Sequence, residues 1–357
     1  MFFNLVKNPI IAVTGTRGKT TTTNWIAHFL KAKWPNVQIA GNTPDNPLLN
    51  AISSLEKDSK TPVVVELSSW QLEFLDRADR APDIAVITNL YEDHMNRYSS
   101  MEEYAMAKAN IFKNQTKEQT LILNKDNEWT KWSLEQKPKS KILYSSSAEL
   151  TTGGITTGID GEHNTENLRM AFVVANSMGI SWKELGDLTS SLPSVRFRQQ
   201  YIYENDKLLI VNDSASTSPD AGIAAIRWFP EEARRKHLPL FLIAGGTDKG
   251  LSYEKWAEVL ASEISRYRDA ERLEFHLFLL EGSATDKMEK ALSKYRDVEM
   301  SKYQDLETLV QDVKKKIDEA GGGIIVFSPG AASFEKFKNE FDRGEQFGAL
   351  AKKYLVI

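Results

Sequence analysis

The residues Thr14-Gly15-Thr16-Arg17-Gly18-Lys19-Thr20-Thr21 have the types and order of a phosphate-holding loop. They follow the apolar run Ile10 to Val13 and open a stretch with helical spacing, Thr20 to Ala32. A strand that turns at glycine into a helix aims backbone N–H groups and the positive helix end at one point. There Lys19 would neutralise β and γ oxygens and Thr20 would reach Mg2+. Gly15, Thr16, Arg17, Gly18, Lys19, Thr20 and Thr21 are therefore the candidate nucleotide contacts. A strict P-loop carries a further glycine five residues before Gly18, where this chain has Val13, so the loop is a variant.

Two further groups stand just beyond apolar strands. Glu66 follows Val63 to Val65, and a carboxylate at the C-terminal end of a buried strand lies where open α/β sheets present their ligands. Such a carboxylate can hold Mg2+. For the neighbouring Ser68 and Ser69, capping of a helix is a competing account. His94 follows the run Ile84 to Ile87, and its place beyond a strand end favours a metal ligand over an ordinary surface histidine. Lys108, in Tyr104-Ala105-Met106-Ala107-Lys108-Ala109, reads from its own type as a solvated helix lysine.

The loop resembles the ATP loop of the Mur ligase and folylpolyglutamate synthetase superfamily. Glu66-Leu67-Ser68-Ser69-Trp70-Gln71-Leu72 is similar to the Glu-Leu-Ser-Ser-Phe-Gln-Leu stretch of its D-glutamate-adding Mur ligases. Asn89-Leu90-Tyr91-Glu92-Asp93-His94-Met95-Asn96-Arg97-Tyr98 resembles their Asn-x-x-Glu-Asp-His-Met-Asp-Arg-Tyr. The resemblance implies that Lys19, Glu66, His94 and Lys108 form the catalytic set. Thr20, Glu66, His94 and a carbamylated Lys108 would hold the metal, the lysine needing a depressed pKa to react as a neutral amine. Asn42, in Ala40-Gly41-Asn42-Thr43-Pro44, would lie near the γ-phosphate and the substrate carboxylate, with Ser68 a further substrate contact. In His163-Asn164-Thr165-Glu166-Asn167, Asn164 and Asn167 would meet adenine, whose edge an amide's paired donor and acceptor can match. Capping of the following helix competes as the role of Asn164.

The second half continues the match. Arg196-Phe197-Arg198 resembles Arg-Phe-Glu, which implies that Arg196 touches the nucleotide; Arg198 replaces the usual acid. Asn212-Asp213-Ser214-Ala215-Ser216-Thr217-Ser218-Pro219 is similar to Asn-Asp-Ser-Lys-Ala-Thr-Asn-Pro, placing Asp213 by the ribose and Thr217 by the substrate. Ala215 leaves out that motif's amine. In Gly245-Gly246-Thr247-Asp248-Lys249-Gly250 and Ser328-Pro329-Gly330-Ala331-Ala332-Ser333-Phe334, Lys249 and Ser333 would bind the incoming acidic amino acid.

The implied reaction is ATP-dependent addition of D-glutamate to UDP-MurNAc-L-Ala through an acyl phosphate, a step of cytoplasmic peptidoglycan precursor synthesis, with ATP and Mg2+ as cofactors. The implied partners are those small molecules, with no nucleic acid and no membrane insertion, for a monomer. Family members begin with a further domain, on the order of 100 residues, that holds the uridine diphosphate. This chain starts almost at the ATP loop, which leaves three expectations open: a truncated sequence, a separate chain that supplies that grip, or a reduced ligase with a different acceptor. The rival readings are a related amide ligase with another acceptor, such as a folylpolyglutamate synthetase, and a nucleotide-binding subunit that needs a partner for activity.

The elements that must position these groups alternate between strand and helix. Apolar runs at Ile10 to Val13, Val63 to Val65, Ile84 to Ile87 and Leu121 to Leu123, with helical spacing at Met101 to Asn114, predict an α/β fold. Strands apolar throughout belong to a mostly parallel sheet covered on both faces. Met1 to Ile11 reads as the first strand. The turn-rich stretch Ser145 to Gly161 reads as a loop or hairpin before a helix over Glu162 to Met178. Around Leu192-Pro193-Ser194 the pattern breaks and paired strands at Gln199 to Tyr203 and Leu208 to Val211 follow, with further strands at Leu238 to Ile243, Glu274 to Leu280 and Gly323 to Phe327. This gives a central P-loop-type ATPase domain over residues 1–194 and a C-terminal Rossmann-like α/β domain over residues 195–357.

At 357 residues, two cores are expected. A net charge of −4 offers no general attraction for nucleic acid or an anionic membrane, so an anion must be held locally. The absence of cysteine excludes disulfides, thiolate metal sites and a cysteine nucleophile, and fits a reducing compartment, with cytoplasm the expected location. No apolar run approaches the roughly 18 residues of a membrane span.

Overall fold

The computed structural model describes residues 2–42, 46–78, 80–95, 97–146, 162–271, 274–295 and 298–356. Two compact units divide the chain, Met1–Pro193 and Ser194–Ile357.

In the first unit, β1 (Ile10–Thr14), β2 (Gln38–Gly41), β3 (Val63–Glu66), β4 (Ile84–Ile87), β5 (Thr120–Asn124) and β6 (Lys141–Ser145) form a parallel sheet in the order β2-β3-β1-β4-β5-β6. The central strands β1, β3 and β4 are buried along their whole length. Successive side chains of a strand point to opposite faces, and both faces here are covered. Ile10 and Ala12 join Phe3, Leu55 and Phe112 on one side, while Ile11 and Val13 join Trp25, Phe29 and Phe172 on the other. The covering helices are α1 (Phe2–Leu5), α2 (Lys19–Leu30), α3 (Leu48–Leu55), α4 (Ser69–Leu72), α5 (Met101–Lys113), α6 (Trp129–Glu135), α7 (Glu162–Ser177) and α8 (Trp182–Thr189).

The sequence expectation fails at the N-terminus, where residues 2–5 form a short helix and the strand begins only at Ile10. Phe2, Phe3 and Val6 are buried in the same cluster as Ala51 and Leu55 of α3, and Val6 N closes a turn on Phe2 O at 3.1 Å. A helical turn lets these apolar side chains cover the sheet face together, which an extended chain would split between two faces. The edge strands β2 and β6, only partly buried, lack the apolar run that marked the central ones. Of the expected loop or hairpin at 145–161, residues 147–161 lie outside the described residues.

In the second unit, β7 (Gln200–Glu204), β8 (Leu208–Asn212), β9 (Leu240–Gly245), β10 (Phe275–Leu280), β11 (Met300–Tyr303) and β12 (Gly323–Phe327) are ordered β11-β10-β9-β12-β8-β7. All neighbours pair in parallel except β7 and β8, an antiparallel pair at the edge. Leu240, Leu242, Ile324 and Val326 pack towards α9 (Pro219–Lys236), α10 (Glu254–Glu271) and α11 (Ser283–Leu292). Phe241, Ile243, Ile325 and Phe327 face α12 (Leu306–Ala320) and α13 (Glu340–Tyr354). The strand expected from Leu238 starts two residues later, because His237 ends α9 in a left-handed conformation and Leu238 N still bonds Ala233 O at 3.1 Å. Among the described residues no helix is long and apolar enough to cross a membrane.

Candidate functional site

The phosphate-type loop leaves β1 at Thr14 and enters α2 at Lys19. Gly15 has φ +146° and Gly18 φ +75°, and an added Cβ would stand 1.9 Å from Thr88 Oγ1 at the first and 2.0 Å from Asn167 Oδ1 at the second. Both positions therefore require glycine for conformation and for close approach. The residues beyond β4 hold the loop from the side. Thr16 N donates to Asn89 O at 2.9 Å, Arg17 N to Asn89 Oδ1 at 2.9 Å, and Thr88 Oγ1 to Arg17 O at 2.6 Å. The Arg17 guanidinium lies over the Tyr91 ring, 4.8 Å from its centroid. Gly18, the N-cap of α2, supplies no side-chain cap to the opening turn of Lys19, Thr20 and Thr21.

Lys19 Nζ folds back to donate to Gly15 O at 3.1 Å and Thr16 O at 3.0 Å. Lys108, on α5, is 1% exposed, and its Nζ donates to the same Gly15 O at 2.8 Å. Burial holds the Lys108 ammonium well below the usual lysine range, and the charge of Lys19 lowers it further; Asp93 and Glu66 oppose the shift. The solvated helix lysine that its type suggested is thus a buried amine at the loop. Its neighbour along the helix, Tyr104, covers it at 4.7 Å, stands with its OH 3.3 Å from Thr16 Oγ1, and has its ring 6.2 Å from that of His94.

Glu66 is buried at the end of β3, in register with Val13 of β1 and Gly41 of β2. Asn42 N donates to Glu66 O at 2.8 Å and Asn42 Nδ2 lies 3.4 Å from Glu66 Oε1. His94 sits beyond β4 with φ +58°, its N–H on Asp93 Oδ1 at 2.9 Å. Ser68 caps α4 in a reciprocal box with Gln71, the competing account of this residue. Among the described residues no three His, Asp or Glu side chains gather as a self-sufficient metal cage.

Asn167 is buried against the loop, its Oδ1 3.3 Å from Thr22 Oγ1, while Asn164 is half-buried in the first turns of α7.

In the second unit the groups collect beyond the C-terminal ends of β8, β9 and β12. Asp213 is buried, accepting from Gln199 N at 3.1 Å and Ser328 Oγ at 2.7 Å. Burial raises its pKa to about 6, against the opposing hydrogen bonds and the Arg198 and Arg343 charges. Both oxygens serve the loops themselves. Lys249 Nζ reaches Thr217 Oγ1 at 3.4 Å. Ser333 Oγ is buried and has no hydrogen-bond partner among the described residues, beside a recess that Gly246, Thr247 and Glu335 also line. Arg196 is exposed and paired with Glu345 at 3.1 Å. Arg198 donates to Ala215 O at 3.2 Å.

Sequence reasoning gave no role to Thr88, Asn89, Tyr104 or Arg343. Arg343 is wholly buried and donates to Ser214 O at 2.7 Å and to Ala331 O and Ala332 O at 3.0 Å, joining the loops that carry Thr217 and Ser333. The available signal was polar Thr-Asn directly after an apolar strand, and an arginine among the apolar positions of a helix.

A family profile described as the Mur ligase middle domain matches residues 13–153. The chain is 34% identical to the UDP-N-acetylmuramoylalanine–D-glutamate ligase of Roseiflexus sp. (strain RS-1), over 99% of its own length and 78% of the relative's. It is 32% identical to the enzyme of that name from Clostridioides difficile (strain 630), over 97% and 76%. Among solved structures, MurF from Acinetobacter baumannii superposes with a TM-score of 0.69 at 16% identity, covering 96% of this chain and 76% of that one. The MurF ligase from Thermotoga maritima, in complex with ADP, gives 0.66 at 17%, covering 99% and 82%. At those identities the structures speak for the fold alone.

Proposed function

The chain belongs to the Mur ligase family, and from that premise we propose that it joins D-glutamate to UDP-N-acetylmuramoyl-L-alanine at the expense of ATP. The observation that carries the reading is the convergence of Lys19 and Lys108 on Gly15 O beside the opening turn of α2. Lys19 beside a helix N-terminus offers a grip for phosphate, and the buried Lys108 amine beside it, its pKa lowered, is placed to take up CO2.

The substrate carboxylate oxygen attacks the γ-phosphorus and ADP leaves, giving an acyl phosphate. The amine of D-glutamate then attacks the acyl carbon, loses a proton, and the tetrahedral adduct expels phosphate as the amide forms. Lys19 moves from Gly15 O to the transferred phosphoryl oxygens, where its charge grows more valuable as the bond to ADP lengthens. Gly15, Thr16, Arg17, Gly18, Thr20 and Thr21 shape the grip, with Asn164, Asn167, Arg196 and Asp213 assigned to the rest of the nucleotide. Mg2+, when bound, neutralises phosphate charge. Glu66, His94 and Thr20 would hold it, with Lys108 once its neutral amine has added CO2 and released a proton to become a carbamate. Asn42 and Ser68 are assigned to the acceptor end, and Lys249, Thr217 and Ser333 to the incoming amino acid.

The test is phosphate release with UDP-MurNAc-L-Ala, D-glutamate and ATP. Turnover that depends on both substrates and is lost in Lys19→Ala supports the reading. ATP binding without turnover would make the chain a nucleotide-binding subunit, and turnover that survives Lys19→Ala would overturn the assignment of the loop.

A further inference from the structure

We propose that Glu73 is a positioning residue that sets His94 relative to Glu66. The inference rests on the reading that Glu66 and His94 hold the metal, and goes beyond it by naming what fixes their separation. Glu66 leaves β3 and His94 follows β4, so no single element holds both. Glu73, the C-cap of α4, is tied to the β3 exit by a segment of only seven residues, Leu67 to Glu73. From there its carboxylate accepts from Arg97 Nε at 3.2 Å, Arg97 Nη2 at 2.6 Å and Tyr98 OH at 2.6 Å.

Those three donors belong to the two residues that close the turn on the histidine. Arg97 N and Tyr98 N both donate to His94 O, at 2.9 and 3.1 Å. His94 itself has φ +58°, a left-handed conformation that a residue with a Cβ holds only when its surroundings fix it. Arg97 also lies over the Trp70 ring at 5.5 Å, and Trp70 flanks the His94 ring at 5.7 Å. The contact is more than an exposed ion pair of small worth. Tyr98 is 5% exposed, and its hydroxyl depends on Glu73 for a charged acceptor. The route from β3 to the residue beyond β4 therefore runs along the chain from Leu67 to Glu73, across the Glu73 carboxylate to the Arg97 and Tyr98 side chains, and through the backbone N–H groups of those two residues to His94 O.

The test measures metal binding without turnover: Mn2+ titrated into the full chain with saturating ADP, free Mn2+ being read by electron paramagnetic resonance. Hydrogen-bonding supports of metal ligands change affinity by about ten- to a hundredfold. Glu73→Gln is expected to weaken Mn2+ binding about tenfold or more while the chain unfolds at nearly the wild-type temperature, and His94→Ala to weaken it at least as much. If His94→Ala weakens binding and Glu73→Gln leaves it within about twofold, the positioning role is wrong and the metal reading stands. If His94→Ala changes nothing, the metal reading is wrong and the positioning role falls with it. Should Glu73→Gln fail to fold, Tyr98→Phe removes one of its donors and is expected to weaken Mn2+ binding in the same direction; unchanged binding there overturns the proposal.

Discussion

Lys19 and Lys108 share one acceptor, the Gly15 carbonyl oxygen, at 3.1 and 2.8 Å. The first is half-buried in the opening turn of α2 and the second wholly buried on α5. Burial, and then the nearby Lys19 charge, lower the pKa of the Lys108 amine, the direction that the carbamylation proposed for it requires.

Lys108→Arg keeps a donor but cannot offer a neutral amine. With 13C-bicarbonate, the wild type is expected to show a carbamate carbonyl resonance that this variant lacks, together with a loss of turnover of about a hundredfold or more, the scale of a lost charge-stabilising group. A wild type without the resonance would remove Lys108 from the metal set.

Gly18→Ala places a Cβ 2.0 Å from Asn167 Oδ1 at φ +75°. Left-handed strain and the forced shift together should cost about 1–3 kcal/mol in urea unfolding, with weakened ATP binding. Adding Asn167→Ala should recover the steric part and leave the backbone part. A single variant as stable as the wild type would show that the loop relaxes freely.

Asp213 gives a pH dependence with a definite sign. Its folded pKa, about 6, lies above the value of 3.8 for an unperturbed Asp, so between those pH values the folded chain binds more protons than the unfolded one. Stability from this group is therefore fully present below about pH 3.8 and is lost as pH rises through 6, by about 3 kcal/mol in all. Asp213→Asn should flatten the fall in the unfolding free energy between pH 4 and 6.5. An unchanged slope would place that proton elsewhere.

Ser333→Ala separates a substrate contact from a structural one. Its hydroxyl is buried with no partner among the described residues, so removing it should leave stability unchanged or raise it by up to about 1 kcal/mol. The KM for D-glutamate should rise about tenfold, the worth of one hydrogen bond to a charged group. A fall in stability with an unchanged KM would make Ser333 a packing residue.

Much of the first unit was legible because its central strands are apolar on both faces. Val63 to Val65 and Ile84 to Ile87 can only be buried, and Glu66 and His94 are conspicuous because they end or follow such runs. The edge strand Met300–Tyr303 was illegible for the converse reason, since exposed Ser301 and Lys302 interrupt any pattern. Phe2 to Leu5 misled because a short apolar run has no period of its own, and tertiary packing on α3 decided the matter. The residues proposed for the ligands were named from motifs, whereas Asn89 and Arg343 act through backbone groups distant in sequence, which no local spacing records.

The tie between Arg17 N and Asn89 Oδ1 joins residues 72 positions apart. The loop's shape is consequently a property of the cooperative fold, and a peptide carrying residues 10–30 would have the motif without the grip. Since its ordering entropy is lost when β4 docks on β1, nucleotide meets a rigid cradle instead of having to create one. Phosphate recognition should then vanish with the first unit's global unfolding, rather than by separate melting of the loop.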